Sequence, residues 1–535
     1  MREEEAEQLG GSLISENNGD DCETYTVGEA IDQIGFGRFQ VVLLLYCGCA
    51  WAADAMEMML LSFLGPAVRC EWGLTPSQEG LITSVVFLGT MAGATLWGRL
   101  ADACGRRVGF FGTAVFTFAF GLASAGSPNY PFLLAFRGLV GLGLGGAPVA
   151  FALYLEFAPS RHRGALLVAL QAFWTIGSMV EAALAWGVLT RLGWRWLLAL
   201  SSIPLLALTV LYPVLPESPF FLAATGRTSA AAAVLQHMAR ANGRPLPPLT
   251  LQAHPLPTVG KGARGPAPPN GAAAGRSSAA LEAWKRVAAP VVRLLSPALR
   301  RTSLLLLLIW FTNALNYYGL VLLTTTLNAS DESACRNGRL RLEPSALAQI
   351  FIASTAELPG LLLAAMVMDL IGRKWSLAGG LLLVAVFTAG LLGAAGSTLT
   401  TALLFCARAA SMGAFAILYV YTPEAYPTTA RTFALGCNNA MSRVGALLAP
   451  FLAVDLASRS TAAAHGAEGI IAGACFVAAA ATAALPLETR GCQLTVTGEP
   501  GEGAKLCGKP GAPRNAGMPS AHNNASLPRN SATLV

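Results

Sequence analysis

The chain has 535 residues, of which 54% are hydrophobic and only 12% charged, with a formal net charge of +6. That balance excludes a soluble globular protein of this size. The modest net charge gives no case for nucleic acid as a partner, and its distribution along the chain says more than its sum.

Residues 1–37 are a polar lead without the apolar stretch of a cleavable signal peptide, and residues 30–40 read as a short interfacial helix and turn. Apolar runs then recur near 39–63, 79–98, 108–125, 131–154, 165–188 and 194–215. Each is long enough to cross about 30 Å of hydrocarbon as a helix. A loop over 216–302 divides the chain, and its Pro-, Gly- and Ala-rich stretch 254–280 reads as an unstructured linker. Six more runs follow near 303–326, 346–368, 375–396, 400–421, 432–456 and 467–487. The tail, 491–535, reads as disordered. The units are therefore a lead (1–37), a six-helix half (38–215), a central loop (216–302), a second half (303–490) and a tail.

Orientation follows from the bases. The central loop carries eleven Lys and Arg residues against Glu217 and Glu282. Arg106, Arg107, Arg163, Arg373, Lys374 and Arg431 fall on the same side, which the positive-inside rule assigns to the cytosol together with both termini. Arg336, Arg339 and Arg341 in the loop 327–345 are a minority on the other side.

The two halves repeat. Asp102, Gly105 and Arg106, in the loop that opens at Gly98, recur as Asp369, Gly372 and Arg373 at an offset of 267. Glu156, Pro159 and Arg163 recur as Glu424, Pro427 and Arg431 at an offset of 268, and Glu217 recurs as Glu488 after the last span. Three sets of markers at nearly one offset imply a duplication, with halves packed about a pseudo-twofold axis along the membrane normal. An acid, a turn glycine and bases cannot lie in hydrocarbon, so these loops belong at one membrane face.

The Gly98–Arg107 loop resembles the signature loop of the major facilitator superfamily, between its second and third spans. The stretches around Asp54 and Glu57, around Asn313 to Tyr318, around Trp194 and around Glu424 narrow the likeness to the sugar-porter-type branch. Within it they resemble the synaptic-vesicle-two-related (SVOP-like) group, with plant organic cation/carnitine-transporter-like proteins and bacterial nicotinate permeases. The resemblance implies an all-α membrane protein of twelve transmembrane helices in two pseudo-symmetric six-helix halves. It implies a secondary carrier working by alternating access, commonly proton-coupled, for a small organic ion. The Gln-Gln-x-x-Gly pattern of sugar binding is absent from span 7, which argues against hexoses.

Asp54 and Glu57 lie three apart on one face of span 1, and ionisable groups inside a span are functional candidates. Glu57 and Arg137 of span 4 each fall about 9 Å below the outer end of their spans, so a carboxylate–guanidinium pair is expected. Asp54 or Glu57 would exchange a proton, with Arg137 tuning it; a static pair that only fixes helix packing is the alternative. Arg443 in span 11 and Glu357 in span 8 lie at similar depth and either pair with each other or leave Arg443 to hold a substrate anion. Trp174, Asn313, Asn316, Tyr317 and Tyr318 offer an amide and aromatic lining. Glu181 is a further buried acid to which the sequence assigns no partner.

Gly98, Asp102, Gly105, Arg106, Arg107, Glu156, Arg163 and Glu217 read as a cytosolic gate, completed by Asp369, Gly372, Arg373, Glu424, Arg431 and Glu488. The resemblance implies that such pairs hold the halves together when the carrier opens outward. Cys70 and Cys335 fall in outward-facing loops, one per half, and their pairing stays open. Asn328 heads an outward-facing glycosylation sequon.

The expected function is proton-coupled symport of a small organic ion, foremost nicotinate or a similar aromatic monocarboxylate. An organic cation such as carnitine, or a non-transporting sensor or vesicle protein on a carrier fold, are the alternatives. No enzyme chemistry, metal or cofactor is expected, the proton gradient being the driving force. Partners are the substrate ion, protons and the lipid bilayer of the plasma membrane, a vacuole or a vesicle; a monomer suffices, and the oligomeric state is open.

Overall fold

Glycine and proline punctuation sets the helix ends. Span 1, Arg38–Trp72, stops at Gly73 in the left-handed region, φ 64°. Thr75 caps the next helix and Pro76 opens it, giving span 2, Pro76–Cys104. Span 3 is Arg106–Ala125, and span 4, Tyr130–Leu155, starts on an Asn129 cap and is jogged at Gly145 and Gly146. Span 5 is Arg163–Val188, and span 6, Trp194–Val210, is interrupted before Pro204.

The computed structural model describes residues 24–160, 163–244, 250–251, 291–329, 335–336, 339–340, 344–394, 396–456 and 460–490. In the second half, span 7 is Arg300–Ala329, span 8 Ser345–Leu370, span 9 Arg373–Gly390 and span 10 Ser397–Ala425. Span 11 is Thr428–Pro450, prolonged by a π-helical turn, Phe451–Leu456, and span 12 is Thr461–Ala483. Ten of these helices are long and apolar enough to cross a membrane by composition alone. Span 6 is shorter, and span 11 carries Arg431, Asn438, Asn439 and Arg443; together they complete twelve.

Packing repeats the duplication. Span 1 lies on span 5 as span 7 lies on span 11, span 2 on span 4 as span 8 on span 10, and span 3 on span 6 as span 9 on span 12. Close approach of spans 2 and 4 depends on Gly93 and Gly141, where a Cβ would collide with the facing backbone of Leu142 and Val86. The halves meet where span 2 packs on span 11 and span 5 on span 8, contacts that a twofold axis interchanges.

Two short helices stand in the loop after span 6, Pro219–Ala224 and Thr228–Ala241, and another, Val27–Ile34, precedes span 1. The stretch 216–302 is thus partly helical rather than wholly loop. The buried face Ala231, Leu235 and Met238 of Thr228–Ala241 packs into the core of the first half; the segment is Ala-rich and too short to cross a membrane, so it reads as loop in the sequence. The 254–280 linker and the 491–535 tail lie outside the described residues, as does the side chain of Asn328.

On the opposite side, Cys70 and Cys335 are joined, Cα to Cα 5.4 Å, linking the last turn of span 1 to a short hairpin, Cys335–Arg336 with Arg339–Leu340. Cys70 is helical rather than in a loop because span 1 runs on to Trp72. The two faces are called here the termini side and the disulfide side.

Candidate transport site

Between the halves, at mid-membrane, lies a cavity of about 50 Å³ walled by Trp51, Trp174, Tyr317, Tyr318, Phe415 and Tyr419, with Gln171, Asn439 and Arg443 among its polar groups. Water occupies about 30 Å³ in the liquid, so this conformation has room for a water or two. Trp174 donates its indole N–H to the Tyr317 hydroxyl at 2.8 Å, and Trp51 donates to Gln171 at 3.1 Å. Packing closes the disulfide side: Phe87 meets Tyr318 with ring centroids 4.6 Å apart, Ser84 donates to the Leu447 carbonyl and Ser77 to Asp455. Toward the termini side the ring pair Phe151–Tyr419 is looser, at 6.5 Å. The sequence-derived Trp174, Tyr317 and Tyr318 thus converge on one cavity. Gln171, Phe415, Tyr419 and Asn439 were not singled out, because on a helix met alone each reads as ordinary packing.

In the first half, Glu57 and Arg137 form an ion pair at 3.0 Å with both side chains fully buried. Arg137 also donates to Ser124 at 3.1 Å, and this second contact fixes the guanidinium. The pair expected between spans 1 and 4 is therefore made by Glu57. Asp54, one turn nearer the termini side, lines a separate small void with Thr113, Thr117 and Gly143 and makes no hydrogen bond or ion pair among the described residues. Glu181 finds a partner after all: Ser201 of span 6 donates to it at 2.8 Å.

In the second half, Glu357 pairs with Arg408 at 2.6 Å, not with Arg443, and also accepts from the Tyr317 hydroxyl at 3.0 Å. Arg408 comes from span 10, which packs directly on span 8, whereas Arg443 of span 11 turns into the cavity. A signal for Arg408 was present: it follows Arg137 by 271 residues, the offset between Glu217 and Glu488. Arg443 lies beside Tyr318 and Tyr419 and is near enough for its charge to act on Asp54 of the other half. Asn316 donates to Ser411 at 3.0 Å, which makes it a helix-to-helix contact of the second half. Asn313 is fully buried, with its amide unpartnered among the described residues.

The loop residues assemble into two similar networks. Arg106 reaches Asp102 at 2.5 Å and Glu156 at 3.3 Å, while Glu217 accepts from the Arg107 backbone N–H at 3.2 Å. Arg373 reaches Asp369 at 3.3 Å and Glu424 at 3.6 Å, while Glu488 accepts from the Arg373 N–H at 2.8 Å. Gly105 and Gly372, at φ 106° and 107°, turn the chain so that each carboxylate sits where a Cβ would point. Gly98 has open space around it, Arg431 donates to the Tyr426 carbonyl at 3.5 Å, and the Arg163 side chain lies outside the described residues. Burial pushes the Glu156 carboxyl above its ordinary value, against the opposing hydrogen bond from Ser218 and the charge of Arg106.

Each observed pair joins spans within one half, and none among the described residues bridges the halves. The 2–3 loop packs against the ends of spans 4 and 6 of its own half, so its charges are already matched there.

Comparison with known proteins bears on this geometry. Residues 24–253 match the Sugar (and other) transporter family, and residues 340–510 match the Major Facilitator Superfamily. The chain is 44% identical over 487 residues to organic cation/carnitine transporter 7 of Arabidopsis thaliana, covering 88% of this chain and 96% of that protein. The chain belongs to the major facilitator superfamily. Within the superfamily it is also 37% identical to the synaptic vesicle 2-related protein of Xenopus laevis, over 94% of this chain and 88% of that one. The xylose transporter XylE from E. coli in its inward-open conformation shares the fold, with a TM-score of 0.63 at 18% identity, over 85% of this chain and 98% of that chain. As a superfamily member of sugar-porter type, the protein is a multi-pass membrane transporter.

Proposed function

We propose that the protein is a proton-coupled symporter of a small organic anion, foremost nicotinate or a similar aromatic monocarboxylate. The observation that carries the reading is Arg443, among the described residues the one charged side chain lining a cavity walled mainly by aromatic rings. A guanidinium takes a carboxylate through two parallel hydrogen bonds, and the rings of Trp51, Trp174 and Tyr318 suit a flat heteroaromatic. Asp54 is the proton carrier: it is uncommitted, whereas Glu57 is held by Arg137. A substrate carboxylate on Arg443 and a proton on Asp54 leave the net charge of the site unchanged, which ties the two loads together. Substrate entry needs the halves to rock apart on the termini side, where their packing is looser. Its bases support a cytosolic position for that side, with the protein in the plasma membrane or an endomembrane such as a vacuole or vesicle.

A second reading, an organic cation, is favoured by the name of the Arabidopsis relative and by the same rings, which also suit cation–π contact with a quaternary ammonium. Counterflow separates the two. Proteoliposomes preloaded with unlabelled nicotinate are expected to take up labelled nicotinate, and those preloaded with carnitine to show no labelled carnitine exchange. Exchange of carnitine alone overturns the anion reading.

A further inference from the structure

We propose that the protein holds one anionic glycerophospholipid in a pocket between spans 1 and 6 at the termini side. The pocket, about 330 Å³, is far larger than the mid-membrane cavity. Its walls are Val42 and Tyr46 of span 1, with Val214 and Leu215 just past span 6. Its rim is Arg38, the first residue of span 1, and His237 on the helix Thr228–Ala241.

The pocket is built rather than incidental. Asn242, directly after that helix, accepts from the Phe39 N–H at 3.0 Å and donates to Gln40 at 2.8 Å, and Arg244 donates to the Ile34 carbonyl at 3.0 Å. These bonds pin the loop helix to the entry of span 1 and hold His237 against Phe39, ring centroids 6.0 Å apart. The Tyr46 hydroxyl is spent on the Leu208 carbonyl, so its ring acts as wall.

The chemistry of the opening selects the occupant. Val42 is 53% and Val214 58% exposed on the protein surface, an apolar flank that faces acyl chains in a bilayer. Arg38 is exposed, and among the described residues it has no carboxylate partner and no acidic side chain lines the pocket. A cation and an imidazole at the end of a span, above an apolar slot open to the hydrocarbon, match a phosphate-bearing headgroup above its chains. A soluble anion would leave the valine slot unused, and a zwitterionic lipid would leave Arg38 opposite a headgroup with no net charge.

The test is native mass spectrometry of the full chain in detergent, titrated with phosphatidylserine or phosphatidylcholine of matched chains. One phosphatidylserine is expected per chain, retained about fivefold better than phosphatidylcholine, the worth of one basic contact near a membrane surface. Arg38→Ala with His237→Ala is expected to bring retention down to the phosphatidylcholine level. Val42→Trp, which fills the slot at a lipid-facing position and leaves the charges intact, is expected to displace the lipid as well. Glycerophosphoserine, the headgroup without chains, is expected not to compete. Equal retention of the two lipids, undiminished retention in either variant, or displacement by glycerophosphoserine would each overturn the proposal.

Discussion

Trp174 of the first half donates to the hydroxyl of Tyr317 in the second at 2.8 Å, and Tyr317 passes its own proton toward Glu357, which Arg408 holds at 2.6 Å. One chain of hydrogen bonds therefore runs from the inter-half cavity into the buried charge of the second half. Any motion that parts the halves at mid-membrane must first break the Trp174–Tyr317 bond.

Tyr317→Phe removes both bonds and leaves the indole N–H without its partner. A net loss of about 1–2 kcal/mol is expected, seen as a lower thermal midpoint of the purified protein. Trp174→Phe removes only the first bond and is expected to cost less. Equal midpoints for wild type and Tyr317→Phe would show that the chain contributes nothing.

Breaking the Glu357–Arg408 pair from one side strands a buried charge. Arg408→Met or Glu357→Leu alone is expected to destabilise by about 3–5 kcal/mol, and the double substitution to recover much of that. The cycle is measured by thermal melting in one detergent. Additive losses in the double variant would mean that the two groups do not act as a pair.

Arg443→Gln removes the only cation that lines the cavity among the described residues. Charge-assisted hydrogen bonds are worth about 1.5–3 kcal/mol, so the apparent affinity for nicotinate is expected to fall about tenfold or more. Arg443→Lys keeps the charge but loses the planar fork, and is expected to fall between the two. An unchanged KM for nicotinate in Arg443→Gln would remove Arg443 from the substrate site.

The Cys70–Cys335 bond ties the halves covalently on the side where they already pack. A protease site inserted near residue 265, outside the described residues, provides the check. After cleavage, the product is expected to run as one species on a non-reducing gel and as two after reduction. Two species without reductant would show that the cysteines are unpaired.

How much of this was legible in the sequence depends on whether a signal is local or relational. The twelve spans were readable because hydrocarbon demands long apolar helices, and the duplication because Asp102, Glu156 and Glu217 each recur at nearly one offset. The Glu57–Arg137 pair was readable from depth along two neighbouring spans. Depth alone failed for Glu357, since Arg443 and Arg408 both reach mid-membrane and only the packing of span 8 on span 10 chooses between them. Ser201 beside Glu181, and Gln171 and Asn439 in the cavity, were hidden for the same reason: a small polar side chain on one helix acquires meaning only from the helix it faces. The residues of the two loop networks were readable but their individual pairings were not, because the sequence shows which charges recur and not which surface they meet.

The central claim is that a proton on Asp54 drives anion uptake. The measurement that tests it most directly is labelled nicotinate uptake into proteoliposomes under an imposed pH gradient, with wild type and Asp54→Asn side by side. Wild type is expected to accumulate nicotinate above its external concentration and to lose that accumulation with a protonophore, while Asp54→Asn exchanges nicotinate without accumulating it. Nicotinate accumulation by Asp54→Asn that still follows the pH gradient would contradict the account.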